Sequence, residues 1–175
     1  MRHSAFALLL AALLSAPAHA QNAQTREGFW ISFGLGYGSL GCDDCDDERT
    51  SGTNVYLRMG GTLSQRALIG GELNAWTKSE DGTTLTVSSI GPVFMFYPNP
   101  SGGLYLKGGL GLANISIDLG QFDIEENGAS ITLGLGYDAR VGQRFALTPY
   151  FDIVASNYDG GSLNHVSFGL GFTWP

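Results

Sequence analysis

The chain has 175 residues, 26 of them glycine, and carries 9 Lys+Arg against 16 Asp+Glu for a formal net charge of −7. The acidic balance excludes the basic footprint of a nucleic-acid binder. Only 14% of residues are charged, against about 25% in soluble domains, and mean hydropathy is close to neutral. Strands that alternate apolar with small or polar residues dilute their apolar content in this way.

The first element is a leader. Arg2 and His3 precede an apolar run from Ala5 to Leu14, Ser15-Ala16-Pro17 breaks it, and Ala18-His19-Ala20 has the A-x-A form of a cleavage site. Residues 1–20 therefore read as a secretory signal peptide, and residues 21–175 as one domain whose charge, without Arg2, is −8. No run of about twenty apolar residues follows Ala20, so a helical anchor is not predicted.

Eight alternating segments follow. Strand one, Phe29 to Leu40, sets Phe29, Ile31, Phe33, Leu35 and Tyr37 against Ser32, Gly34, Gly36 and Gly38. Strand two, Asn54 to Gly60, places Val55, Leu57 and Met59 outward and Tyr56 and Arg58 inward. Strand three, Ala67 to Thr77, has Ile69, Leu73 and Ala75 out, with Glu72 and Asn74 in. Strand four, about Thr84 to Tyr97, is the least regular: Leu85, Val87, Val93, Met95 and Tyr97 share a face, and Pro92 must interrupt the ladder or sit at a bulge.

Strand five, Leu104 to Ala113, has Leu104, Leu106, Leu110 and Leu112 out, with Tyr105, Lys107, Gly109 and Gly111 in. Strand six, Ala129 to Arg140, sets Ile131, Leu133, Leu135 and Tyr137 against Thr132, Gly134, Gly136, Asp138 and Arg140. Strand seven, Phe145 to Ser156, sets Phe145, Leu147, Phe151 and Ile153 against Thr148, Tyr150 and Asp152. The last stretch, Asn164 to Pro175, has the clearest alternation, with Val166, Phe168, Leu170, Phe172 and Trp174 opposite Ser167, Gly169, Gly171 and Thr173.

A wide apolar face opposite glycine fits hydrocarbon outside and a narrow interior. The predicted fold is all-β: an eight-stranded antiparallel up-and-down transmembrane β-barrel. Links after strands two, four and six are short, whereas Gly41–Thr53, Asn114–Gly128 and Asn157–Asn164 are longer. Short turns on the periplasmic side put both termini there. Tyr97, Tyr137, Phe145, Phe172 and Trp174 would form the aromatic girdle at that end.

Six charges fall on the inward face: Arg58, Glu72, Lys107, Asp138, Arg140 and Asp152. The interior of so small a barrel is just wide enough for side chains, and buried charges must be paired. The balance of three against three reads as a lumenal ion-pair network and not as a conducting pore.

The mature chain resembles the small eight-stranded outer-membrane barrels, the group that includes the transmembrane domain of outer membrane protein A and outer membrane protein X. The resemblance covers residues 28–175 and is carried by the leader, the repeated G-L-G-Y at 34–37 and 134–137, and the terminal G-L-G-F-T-W. It implies residence in a bacterial outer membrane among lipids and lipopolysaccharide, and insertion by the barrel assembly machinery. That machinery recognises a terminal strand ending in an aromatic; here Trp174 is penultimate to Pro175. The expected state is a monomer with a structural or surface-interaction role.

Three patterns carry candidate chemistry. Cys42 and Cys45 in an exported chain form a local disulfide most simply, since the βαβ context of a redox C-x-x-C is lacking. Asp43, Asp44, Asp46, Asp47 and Glu48 beside them offer hard oxygen ligands for Ca²⁺, the only cofactor the sequence admits, without the spacing of an EF-hand. Two thiolates alone are too few for a closed zinc site. The remaining links are also acidic, with Glu80, Asp81, Asp118, Asp123, Glu125, Glu126 and Asp159 opposed only by Arg49 and Lys78. This face suits divalent cations that bridge to lipopolysaccharide phosphates, or a basic partner.

His165 and Ser167, with Asp159 as the orienting acid, make an alternative reading as a lipopolysaccharide deacylase. Their parity turns both inward, away from lipid. A second alternative, a soluble lipocalin-like barrel, predicts large apolar residues inside and a polar exterior.

Overall fold

The computed structural model describes residues 25–42, 49–118, 123–142 and 145–174; the expected signal peptide lies outside them. Eight long strands form the structure: β1 (Phe29–Cys42), β2 (Thr50–Ser64), β3 (Ala67–Glu80), β4 (Thr83–Phe96), β5 (Leu104–Asp118), β6 (Asp123–Tyr137), β7 (Ala146–Tyr158) and β8 (Gly161–Trp174). A two-residue continuation of β6, Ala139–Arg140, resumes after Asp138 and pairs with the start of β7. Each strand pairs antiparallel with its sequence neighbours. The barrel closes where β1 meets β8, with Ile31 opposite Trp174 and Leu40 opposite His165. Closure satisfies backbone donors and acceptors without a sheet edge, the condition for β-structure inside a bilayer.

The exterior is an apolar belt. Phe33, Leu35, Leu73, Leu110, Leu133, Leu135, Phe168 and Leu170 are all exposed on it. On every strand the outward series turns polar at a matching level: Ser39, Thr53, Thr77, Ser88, Asn114, Asn127, Asn157 and Asn164. Exposed Phe29, Phe96, Phe172 and Trp174 rim the opposite end. Tyr37 and Phe168, with ring centroids 6.2 Å apart, sit near the polar ring. This apolar exterior is the reverse of the polar one that the lipocalin-like alternative predicts, and the structure overturns that alternative.

Strand four keeps the expected shared face and turns it into the lumen. Val87, Val93, Met95 and Tyr97 are buried, while Ile90, Phe94 and Phe96 are exposed. From Pro92 to Tyr97 both faces are apolar, so alternation there carries no information. Register decides instead: inward Asn74 lies opposite Ser89, and inward Glu72 opposite Gly91. Tyr97 therefore belongs to the lumen and not to the girdle. Pro92 interrupts the ladder to β5, which skips from Ile90–Leu112 to Val93–Gly109 without a shift of register. No bulge forms there.

The long links are also different in kind. β5 and β6 stay paired out to Asp118–Asp123, and β7 and β8 out to Tyr158–Gly161. β3 and β4 meet at Glu80–Thr83 across the tight turn Asp81-Gly82, whose φ values are +50° and +80°. Much of what reads as external loop is strand that overhangs the belt. The β3–β4 and β7–β8 connections are thus as short as a turn, and the asymmetry between the two ends lies in the overhang.

Candidate functional site

Inward side chains occupy the barrel in layers. At the turn end, Trp30, Leu68, Val93, Met95, Tyr97 and Tyr105 make an apolar cluster. Arg26, ahead of β1, lies across this end with its guanidinium 3.5 Å from the Tyr97 ring centroid. Its Nη1 donates to the Pro100 carbonyl at 3.0 Å and its Nη2 to the Gly102 carbonyl at 2.6 Å. The cavity left between Arg26, Trp30, Tyr97 and Asp138 is only about 10 Å³. At the overhang end Leu40, Trp76 and Val87 form a second apolar cluster.

A charged quartet lies between these clusters. The Arg58 Nε pairs with Glu72, and its Nη2 lies 2.5 Å from Asp152 Oδ2. Lys107 Nζ lies 2.6 Å from Glu72 Oε2 and 2.9 Å from Asp152 Oδ2. The Arg58 guanidinium also stacks 3.7 Å from the Tyr56 ring centroid and donates to the Tyr105 hydroxyl at 3.1 Å. Two cations against two carboxylates, multiply bonded, meet the condition under which buried charge is tolerated.

The ion pairs of the quartet join four of the six lumenal charges. Asp138 stands toward the turn end, where it accepts from the Tyr97 hydroxyl and from Thr148 Oγ1, both at 2.9 Å. Asp152 is four residues further along β7 than Thr148, about 13 Å at the rise of a strand. Arg140 is half-buried at the mouth, with its Nη2 donating to the Thr25 carbonyl at 3.0 Å. The register of β6 on β7 is the same on both sides of Asp138, so Asp138 and Arg140 stand four and six residues nearer the turn end than Gly134, the residue opposite Asp152. Two chains of neutral groups flank the quartet. One links Asp138 through Thr148, Thr173 and Ser32 to Tyr56. The other links Tyr150 through Asn54 and Asn74 to His165.

The deacylase constellation is not assembled. His165 and Ser167 are buried in the lumen, and the His165 Nε2 partners Asn74 Oδ1 at 3.2 Å. Asp159 sits at the tip of the β7–β8 turn, beyond the Tyr158–Gly161 pair. His165 is opposite Val154, four residues below Tyr158 and again about 13 Å away.

Of the cysteine and acid segment, Cys42 is the last residue of β1; Asp43, Asp44, Cys45, Asp46, Asp47 and Glu48 lie outside the described residues. Among the described residues no group of three or more His, Cys, Asp or Glu is placed to hold a metal. On the overhang, Lys78 Nζ lies 2.7 Å from Glu80 Oε2. This hydrogen bond, reinforced by the ammonium charge, holds the Glu80 carboxyl below its usual range.

Sequence reasoning missed Arg26, Trp30 and Trp76. Arg26 precedes the alternation that identifies inward positions. The two tryptophans have inward parity, but their bulk contradicts the rule that small residues face in. The resolving signal is cross-strand: a Cβ on Gly38 or Gly52 would collide with Trp76, and one on Gly70 with Trp30. Tyr56 packs over Gly34 and Gly171, and Tyr105 over Gly136. Lumenal glycines and lumenal aromatics are complementary sets.

An apolar exterior, a closed antiparallel ladder and a filled lumen with paired charges are the marks of a small membrane barrel, and the family comparison agrees. Residues 6–174 match the family described as the outer membrane protein beta-barrel domain. The chain belongs to this family. Outer membrane barrels of known structure superpose on it. Neisserial surface protein A is 13% identical with a TM-score of 0.65, over 86% of this chain and 99% of that one. Ail, the attachment invasion locus protein of Yersinia pestis, is 15% identical with a TM-score of 0.60, over 86% and 100%. Ail in complex with the heparin analogue sucrose octasulfate is 16% identical with a TM-score of 0.58, over the same shares. At such identities the likeness is one of fold. No curated protein sequence matches the chain. Membership of this barrel family implies the bacterial outer membrane.

Proposed function

We propose that this outer-membrane barrel works as a scaffold and not as a pore: its lumen is a stabilising plug, and its task lies on the overhanging strands. The observation that carries this reading is the Arg58–Glu72–Lys107–Asp152 quartet, enclosed between two apolar clusters. A conducting path through it would have to separate buried ion pairs, at a cost of several kcal/mol per ion. The overhang presents Glu80, Asp81, Asp118, Glu125, Glu126 and Asp159 against Arg49 and Lys78. An acidic face favours cations and basic partners and repels polyanions. The sulfated sugar bound by Ail is therefore not transferred to this chain.

The reading includes cleavage after Ala20, insertion by the barrel assembly machinery and a monomeric state among lipopolysaccharide. It also includes a Cys42–Cys45 disulfide that pins the first link, with Asp43, Asp44, Asp46, Asp47 and Glu48 available to Ca²⁺. The test is outer-membrane fractionation followed by detergent gels of boiled and unboiled samples. A folded barrel gives a heat-modifiable band in the outer-membrane fraction, and planar bilayers holding the protein show no steady conductance. Recovery in the soluble periplasmic fraction would overturn the membrane reading; a stable open channel would overturn the scaffold reading.

A further inference from the structure

Where the apolar belt ends, two rows of outward side chains cross β5 to β8. Leu110, Ile131, Ala155 and Asn164 are registered opposite one another in turn, and the row above runs Leu112, Ala129, Asn157, Ser162. The small side chains of Ala129 and Ala155 beside branched Leu110 and Ile131 leave an open groove of about 650 Å³ that runs to Asn164.

Arg49 lies at the Asn164 end of this groove, across the outer face of the β1–β8 seam. Its Nη1 donates to Asn164 Oδ1 at 2.7 Å, its Nη2 to the Asn164 carbonyl at 3.3 Å and to the Ser39 carbonyl at 2.6 Å, and its Nε to Ser39 Oγ at 3.0 Å. Gly41, opposite Asn164, provides the bed: a Cβ there would fall 2.6 Å from Nη1. All four acceptors are neutral. Among the described residues no carboxylate pairs with Arg49, whereas Lys78, the other cation above the belt, is paired with Glu80. Four neutral acceptors thus position the guanidinium on the outer face of the barrel, at the level where the outward series turns polar at Ser39 and Asn164.

We propose that the groove and Arg49 form a seat for one lipid A molecule of the outer leaflet. An acyl chain lies over Ala129 and Ala155, a glucosamine phosphate meets the Arg49 guanidinium, and Asn157 and Ser162 face the sugar hydroxyls. Apolar chain, phosphate and sugar occur together in that order, from hydrocarbon to water, in lipid A. Arginine suits phosphate because its fork donates two parallel charge-assisted hydrogen bonds. The inference rests on the outer-membrane reading above.

The test uses the full folded chain in detergent micelles and measures binding of purified lipid A, dephosphorylated lipid A and phosphatidylglycerol. Loss of a charge-assisted contact of this kind weakens binding about tenfold or more. Arg49→Ala is expected to weaken lipid A binding by that factor, and Ala155→Trp, which fills the groove, to do likewise. Dephosphorylated lipid A is expected to bind wild type as weakly as it binds Arg49→Ala. Lys78→Ala is expected to leave binding unchanged. Each variant is first checked for the heat-modifiable band; if Arg49→Ala lacks it, Arg49→Gln and Ala155→Trp are read in its place. Equal binding of lipid A to folded wild type and folded Arg49 variants would overturn the site, as would phosphatidylglycerol binding as tightly as lipid A. A wild-type chain with no heat-modifiable form would instead defeat the membrane reading on which the site depends.

Discussion

Arg58 touches both carboxylates of the quartet, so it is the residue whose loss leaves the most charge uncompensated. Arg58→Met should cost about 3–5 kcal/mol, because Glu72 and Asp152 would then share only Lys107. The double change Arg58→Met/Glu72→Met keeps the Lys107–Asp152 pair, 2.9 Å apart, and should cost less than Arg58→Met alone. Urea unfolding in micelles measures both, and a double variant less stable than the single one would contradict the pairing argument. Lumenal glycines give a second contrast. Gly34→Ala would drive a Cβ into the Tyr56 ring and toward the Gly171 backbone, whereas Gly61→Ala meets nothing within 4 Å. The first should destabilise by about 1–3 kcal/mol; the second should be neutral or slightly stabilising in the same assay. Parity alone places the four quartet residues inward, since each sits among clear alternation. It does not reveal which inward charges meet, because that depends on their level along the strands: Asp138 and Arg140 stand four and six residues nearer the turn end than Gly134, the residue opposite Asp152.

Among the elements, the strands with glycine on one face and bulk on the other are legible at once, β1, β6 and β8 above all. β4 is not, because its turn-side half is apolar on both faces and only its partners fix which one points in. The overhangs are hidden for the opposite reason. Asn114-Ile115-Ser116-Ile117-Asp118 lies outside the belt, so neither of its faces has to be apolar, yet it pairs with Asp123 to Asn127 as regular ladder. The Asp81-Gly82 turn does carry its own signature, since a two-residue hairpin with both φ values positive selects Asp-Gly or Asn-Gly. Gly82→Val should destabilise the β3–β4 hairpin by about 1–2 kcal/mol, the cost of a left-handed conformation for an L-residue. Asp81→Asn should be nearly silent, and equal unfolding midpoints for the Gly82→Val and Asp81→Asn variants would count against the turn geometry.

At the scale of the whole molecule, the distribution of apolar side chains fixes the medium and the polar ring fixes the depth, but neither one alone says which end faces the cell exterior. The asymmetry of the overhang supplies that direction. Apolar outward residues continue to the turn end at Phe29, Phe96 and Trp174, while beyond the polar ring β3, β5 and β6 carry three or more further residues. Outer-membrane barrels keep short turns on the periplasmic side and their longer segments outside, so the overhang with its acidic tips is expected to face the exterior. Single cysteines at Asp159 and at Gly142, in a Cys42→Ser/Cys45→Ser background, test the assignment. Asp159 is at the tip of the overhang and Gly142 in the link at the opposite end, where an added side chain meets nothing within 4 Å. A membrane-impermeant maleimide added to intact cells should label the Asp159→Cys variant and spare Gly142→Cys until the outer membrane is opened. The reverse pattern would invert the barrel, place Arg49 and its groove in the inner leaflet, and remove lipid A as their ligand.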